Sequence, residues 1–279
     1  MKRRNSITIA VPASMVSEIS NLRDKTTVLG HLGRAAAIYR VDQIIIYRDQ
    51  PDESLTMKYI LGYLETPQYL RKHLFDVRPE LQFAGILPPL RTPHHPSEEA
   101  LSSINKGDFR DGVVIDGSGY NYQVDVGLRV PMNVRGKPPV KGSRIITEVM
   151  ETEPELSGRS VKKKDVPEYW GYDLRGSKGR LSDLVHSPEW DLTIGTSRLG
   201  EDISGVKEKL EADWGEAENT LIVFGSYKEG VGEMITHEGR RAEEVFNYIL
   251  NTVPSQGTAT VRTEEAIIST LAILNIFKD

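Results

Sequence analysis

A change of texture in the middle of the chain constrains its fold more than any other feature. From Gly107 to about Glu155 the sequence is all-β in character. The runs Asp111–Ile115, Asn121–Val126, Leu128–Val130 and Arg144–Val149 are short and rich in β-branched residues, and Gly117, Gly119, Gly127, Gly136 and Gly142 separate or turn them. Closely spaced short strands with glycine turns predict a small, OB-like β-barrel. On both sides of it strands alternate with helical patterns. The expected fold class is therefore α/β, as one discontinuous domain over residues 1–92 and 164–279, interrupted by a barrel over 93–163.

In the N-terminal part, Ile7–Val11 reads as a strand bounded by Pro12. A helical pattern follows, then a second helix from about Thr26 to Arg40. Gln43–Tyr47 is a continuous apolar run that fits a central parallel strand. Asp52–Phe75 has the apolar spacing of a long amphipathic helix, interrupted at Pro67. Pro88–Pro96 is proline-dense and reads as a rigid linker in which His94 and His95 are solvated. Lys162–Asp165 is a charged linker back to α/β texture. There Asp191–Thr196 and Thr220–Phe224 read as strands, and Ser204–Asp213 and about Ile235–Leu250 as helices. Gly225–Gly232 is glycine-rich like a phosphate cradle, but it matches neither a P-loop nor a dinucleotide fingerprint.

The chain ends in an irregular stretch, Asn251–Arg262, that feeds an apolar helix. Ile267, Ile268, Leu271, Leu274 and Phe277 recur at helical spacing, and Glu264 and Glu265 suit the first turn. Thr260 or Thr263 is a candidate N-cap. Pro254 fixes φ, and Gly257 permits positive φ or a close approach. Such a loop either binds a polar ligand through main-chain groups or is an ordinary strand-to-helix connection.

The barrel segment carries Arg129, Arg135, Lys137, Lys141 and Arg144, with Tyr120 and Tyr122 among them. Cations interleaved with aromatics suit single-stranded nucleic acid; a solvated β-module is the alternative. The net charge of −5 argues against a globally basic nucleic-acid binder but not against a local basic face. The chain has no cysteine, which excludes disulfides, thiolate metal sites and a cysteine nucleophile. Its six histidines show no metal-binding spacing, so no metal is expected. No apolar run reaches the roughly 18 residues of a membrane span, and the N-terminus is too polar for a signal peptide, so a cytoplasmic protein is the expectation.

Three segments, taken in order, resemble the motifs of the SPOUT superfamily of RNA methyltransferases. The first is Gly30-His-Leu-Gly-Arg34 running through Val41-Asp42 into Gln43–Ile46; the second is Leu221-Ile-Val-Phe-Gly-Ser-Tyr-Lys-Glu-Gly230; the third is the proline-containing loop before the last helix. The barrel lies outside the superfamily core and is similar to an insertion in one archaeal and eukaryotic branch. The resemblance implies an α/β fold with a C-terminal trefoil knot, a homodimer, and S-adenosylmethionine held bent among three loops. It places cofactor contacts at Thr196, Gly225, Ser226, Gly230, Val253, Pro254, Gln256, Gly257, Thr260 and Val261. RNA, ribosomal or transfer, would be the partner, met through the barrel cations.

Methyl transfer from a sulfonium needs in-line positioning and removal of the acceptor's proton. Arg34 is a poor base and would clamp a phosphate or polarise the target base. Glu229 and Glu265 could accept a proton or orient Arg34 or Arg262. Ribose-methylating members carry a Ser-Leu-Asn-Val-type run in the third motif, whereas Thr258-Ala-Thr-Val-Arg-Thr-Glu stands here. Thr260 replaces the expected Asn, which tilts the reading toward a base nitrogen. Ribose methylation, a non-catalytic RNA-binding protein that keeps the knot fold, and a nucleotide-binding enzyme acting on a small molecule are the alternatives.

Overall fold

The structure is a computed structural model that describes residues 3–96 and 101–277. In chain order the main elements are β1 (Ser6–Pro12), α1 (Leu22–Ile38), β2 (Gln43–Tyr47), α2 (Ser54–Glu65) and α3 (Gln68–Leu74). Next come β3 (Phe109–Ser118), β4 (Asn121–Asp125), β5 (Met132–Arg135), β6 (Arg144–Glu151) and β7 (Ser157–Val161). The last set is β8 (Asp173–Ser177), α4 (Leu181–Val185), β9 (Leu192–Asp202), α5 (Ile203–Glu216), β10 (Asn219–Val223), α6 (Val231–His237), α7 (Ala242–Val245), β11 (Tyr248–Asn251) and α8 (Thr263–Leu274). They form two compact units, one of Arg3–Gly62, Gln82–Pro89 and Gly171 onward, the other of Tyr63–Leu81 and Leu90–Trp170.

The first unit is a six-stranded sheet in the order β11-β9-β10-β1-β2-β8, parallel throughout. Its central strands are apolar on both faces because helices cover both. Ile9, Ile44, Ile45, Leu221, Ile222 and Ile194 have no exposed surface. Helix α1 starts where the Asn21 side chain accepts the Asp24 N–H at 2.9 Å. Within α1, a Cβ on Gly30 would lie 3.0 Å from Pro88 Cδ, so this glycine permits close packing. Helix α8 packs on α1 and buries Ile267, Leu271 and Leu274, while Ile268 is exposed.

Several expectations change. The helical pattern after Pro12 is a run of turns, and α1 begins at Leu22. As expected, Pro67 divides the Asp52–Phe75 helix, heading α3 as its N-cap. The helix expected over Ile235–Leu250 is instead α6, α7 and the strand β11. Gly239, at φ 78°, ends α6, and pairing with β9 then buries Tyr248 and Leu250. Strand β8 has no apolar alternation to mark it in the sequence; as a sheet edge it rests on backbone pairing with β2 more than on buried side chains.

The second unit contains a closed barrel in the order β3-β4-β5-β7-β6, with β5 and β7 parallel and the other pairs antiparallel. Val114, Val124, Met132, Val134 and Val149 fill it. A Cβ on Gly112 would lie 2.3 Å from Val124, and one on Gly158 2.3 Å from Met132, so only glycine lets these strands close. Tyr122, expected as a stacking face, points into this core at 4% exposure. The strand expected at Leu128–Val130 is displaced to Met132–Arg135, past Pro131, which has no N–H to give a ladder.

This unit takes in residues 63–81, which the 92/93 boundary assigns to the other domain. Arg144 shows why. Rather than joining a basic surface, its guanidinium holds the Glu65 carboxylate at 2.6 and 3.1 Å and Asp111 at 2.7 Å. His94 is fully buried rather than solvated, packs at a tilt against Trp170, and lies 3.1 Å from Glu65. Tyr69 donates to the Asp111 carbonyl, and its ring occupies the space a Cβ on Gly127 would need.

Burial alone would raise the Glu65 carboxyl; the His94 hydrogen bond and the Arg144 charge overcome it and take it from 4.5 to about 2. Burial, with the neighbouring His94, lowers His95 from 6.5 to about 4. Both folded values are depressed, so the unfolded chain binds protons first on acidification. Stability is expected to fall from about pH 6.5 as His95 is left behind, then further below about 4.5 as Glu65 loses its advantage. Urea midpoints followed from pH 8 to 3 measure this. A flat profile down to pH 4 would contradict it, and His95→Gln should remove the upper step.

Candidate active site

In a parallel sheet, ligands bind beyond the carboxyl ends of the strands, where the chain order reverses. Here that end belongs to β9, β10 and β11. The segments following them, with the end of β9 itself, enclose a cavity of about 850 Å³.

β10 leaves the sheet at Phe224, whose carbonyl accepts the buried Tyr47 hydroxyl at 2.7 Å. Burial pushes the Tyr47 phenol well up, so it stays a donor. The chain then folds tightly on itself. Ser226 N donates to the Glu229 carbonyl at 2.9 Å, and Ser226 Oγ accepts the N–H groups of Lys228 and Glu229 at 3.2 and 3.1 Å. A Cβ on Gly225 would lie 2.7 Å from the Glu229 carbonyl oxygen, so glycine is required. Gly230 N donates to the Glu233 carboxylate at 2.9 Å as α6 begins.

The other segments are tied to this turn. Thr196 Oγ1 donates to the Val223 carbonyl at 3.0 Å, and Thr263 Oγ1 to the Gly225 carbonyl at 3.2 Å. Arg198 donates to the Ala259 carbonyl at 2.7 Å. Asn251 bridges, giving its amide to the Arg198 carbonyl and accepting from Val253 N, each at 3.0 Å. The wall is thus irregular backbone fixed by side-chain bonds.

Of the residues expected to touch a cofactor, Thr196, Gly225, Ser226, Gly230, Val253, Gln256, Thr260 and Val261 line the cavity. Pro254 and Gly257 share the loop without lining it. Gly257 has open space around it and no positive φ; Ser255 takes that conformation, at φ 55°. Glu229 and Arg262 line the cavity. Glu265 does not, and its carboxylate instead caps α8 by accepting Arg262 N at 2.9 Å, so the N-cap is Arg262 rather than Thr260 or Thr263. Arg34 also lies outside the lining, and donates to the Pro89 carbonyl at 3.0 Å.

Sequence reasoning missed Arg198, Asn251 and His237. Arg198 lies beyond the expected strand end, because β9 runs on to Asp202, and Asn251 closes a strand that read as helix. The lining carries both signs: Glu18, Glu229, Glu233 and Glu243, and Arg198, Lys228, Arg241 and Arg262. His237 Nδ1 lies 3.2 Å from Glu229 Oε2. Among the described residues no group of three or more His, Asp or Glu could hold a metal ion. On the barrel, Arg129, Arg135, Lys137 and Lys141 are exposed, as is Tyr120.

Residues 6–274 match a family model described as "Putative RNA methyltransferase". The chain is 33% identical to an uncharacterised protein of Halobacterium salinarum, over 96% of this chain and 98% of that protein. It is 30% identical to the 28S rRNA (uridine-N(3))-methyltransferase of Homo sapiens, over 98% of this chain and 78% of that protein. The protein of the same name in Mus musculus is also 30% identical, with 98% of this chain and 76% of that protein covered.

Proposed function

The chain belongs to this family of RNA methyltransferases, within the SPOUT superfamily, and we propose that it uses S-adenosylmethionine to methylate N3 of a uridine in ribosomal RNA. The observation that carries the cofactor reading is the cavity beyond β9, β10 and β11. Its volume suits a ligand of this size. Gly225 permits the tight turn that forms one wall, and Val253 and Val261 supply apolar surface for an adenine. Bound there, the sulfonium would supply an electrophilic methyl group. The chain's own task is to orient the acceptor, exclude competing water and take a proton.

Three further features belong to the same reading. From β11 the C-terminal segment passes Arg198 and Gly225, which bond to it, before α8 reaches α1, a path that supports the trefoil knot. The barrel order, with its third and fifth strands parallel, supports an OB-like module, and its exposed cations and Tyr120 support RNA contact. Exposed Ile38, Leu55, Ile268 and Ile276 offer apolar surface that a second copy could cover.

Calorimetric titration with S-adenosylmethionine, with ATP as control, tests the cofactor. Saturable binding of the methyl donor alone is expected. Absence of binding at millimolar donor would remove the autonomous-enzyme reading.

A further inference from the structure

We propose that His237, oriented by Glu229, takes the proton released when the uridine nitrogen is methylated; this rests on the uridine-N3 reading above. N3 of a uridine carries a hydrogen and is a weak nucleophile while it does. As the N3–methyl bond forms and the methyl–sulfur bond breaks, the sulfonium becomes a neutral thioether, and the N3 proton must pass to a base on the cavity wall.

Few side chains there can serve. Arg198, Lys228, Arg241 and Arg262 are cations at neutral pH, and carboxylates are ordinarily weak bases. Glu233 is already engaged by Gly230 N–H. Histidine is the residue type whose ordinary titration falls near neutrality. His237 closes α6, and its Nδ1 lies 3.2 Å from Glu229 Oε2. A proton on Nδ1 would face that carboxylate, which would leave Nε2 as the acceptor. The carboxylate then stabilises the imidazolium that forms, as an orienting acid does in a catalytic triad. The His237 side chain is 68% exposed, so an incoming nucleotide can reach it and solvent can collect the proton afterwards.

The other charged groups facing this space are Lys228 and Glu229 of the β10–α6 segment, Glu233 of α6, and Arg241 and Glu243 at the start of α7. Glu238 is turned elsewhere, with its carboxylate holding the N–H groups of Leu181 and Ser182.

The test is single-turnover methyl transfer from labelled S-adenosylmethionine to ribosomal RNA extracted from cells lacking this gene. N3-methyluridine is identified by mass spectrometry, and rates are followed across pH. Wild type should show an inflection in its pH–rate profile. His237→Ala should lose it together with roughly 10²- to 10⁴-fold in rate, regain part of the rate with added imidazole, and keep its donor affinity within twofold. His237→Gln, which keeps the size but not the basicity, should be equally slow, and Glu229→Gln should be slowed while retaining the inflection. A His237→Ala rate within threefold of wild type, with the inflection in place, would overturn the assignment. Wild-type protein that binds no donor, or yields a product other than N3-methyluridine, would overturn the uridine-N3 reading and this proposal with it. That result is visible before any variant is compared.

Discussion

Arg144→Ala is expected to cost the protein about 3–5 kcal/mol, enough to unfold the barrel-containing unit under conditions where wild type is folded. The reason lies in what the substitution leaves behind. Glu65 and Asp111 have side chains only 10% and 1% exposed, and both are neutralised by one guanidinium. Removing it leaves two buried carboxylates without their shared cation, with only His94 still beside Glu65, and their mutual repulsion is no longer offset. Urea denaturation of the full chain, followed by tryptophan fluorescence, should report the loss, since Trp170 packs on His94 beside Glu65. Replacing all three charges with apolar residues of similar size should recover much of the stability, because the desolvation cost goes with them. A loss below about 1 kcal/mol in the single variant would mean that the cluster is hydrated and carries little energy.

On the cofactor reading proposed above, Gly225→Val is expected to weaken S-adenosylmethionine binding while the sheet persists. The added side chain would meet the Glu229 carbonyl, Gly230 Cα and Val231 N at 2.7, 3.0 and 3.2 Å. All three are backbone, so no rotamer change relieves the overlap and the turn itself must shift. A shift costing about 1–3 kcal/mol corresponds to roughly five- to 150-fold in affinity if the bound state needs the original turn. Calorimetry with S-adenosylmethionine measures it. Gly215→Ala in α5, where a Cβ has open space, is the control and should bind normally. Wild-type affinity in Gly225→Val would place the cofactor away from the β10 turn.

What could be read from the sequence follows from which residues do local work. Gln43–Tyr47 and Asn219–Val223 lie mid-sheet, so their apolar runs announce them. β8 and β11 occupy the sheet edges and owe their existence to backbone pairing with β2 and β9, which no local pattern records. The cavity was largely legible because glycines and small hydroxyl residues mark irregular backbone, as at Gly225, Ser226 and Thr260. Arg144 and His94 were misplaced for the opposite reason. Each is polar by type and sits in sequence among residues that suggest solvent, yet each is drawn inward by Glu65, distant in the chain. Pairing of charge across long separations is invisible until the chain is folded.

The position of β1 bears on how the chain is made. β1 sits mid-sheet, with β2 on one side and β10 on the other, and its pairing with Asn219–Val223 joins residues about 200 positions apart. At about 5–20 residues per second, that second neighbour arrives roughly 10–40 s after β1 has emerged. Meanwhile all five barrel strands are synthesised in one unbroken block and need no later strand to close their ladder. Synthesis therefore leaves β1 with one edge bare until β10 emerges, and a nascent-chain chaperone has the most to protect in this interval.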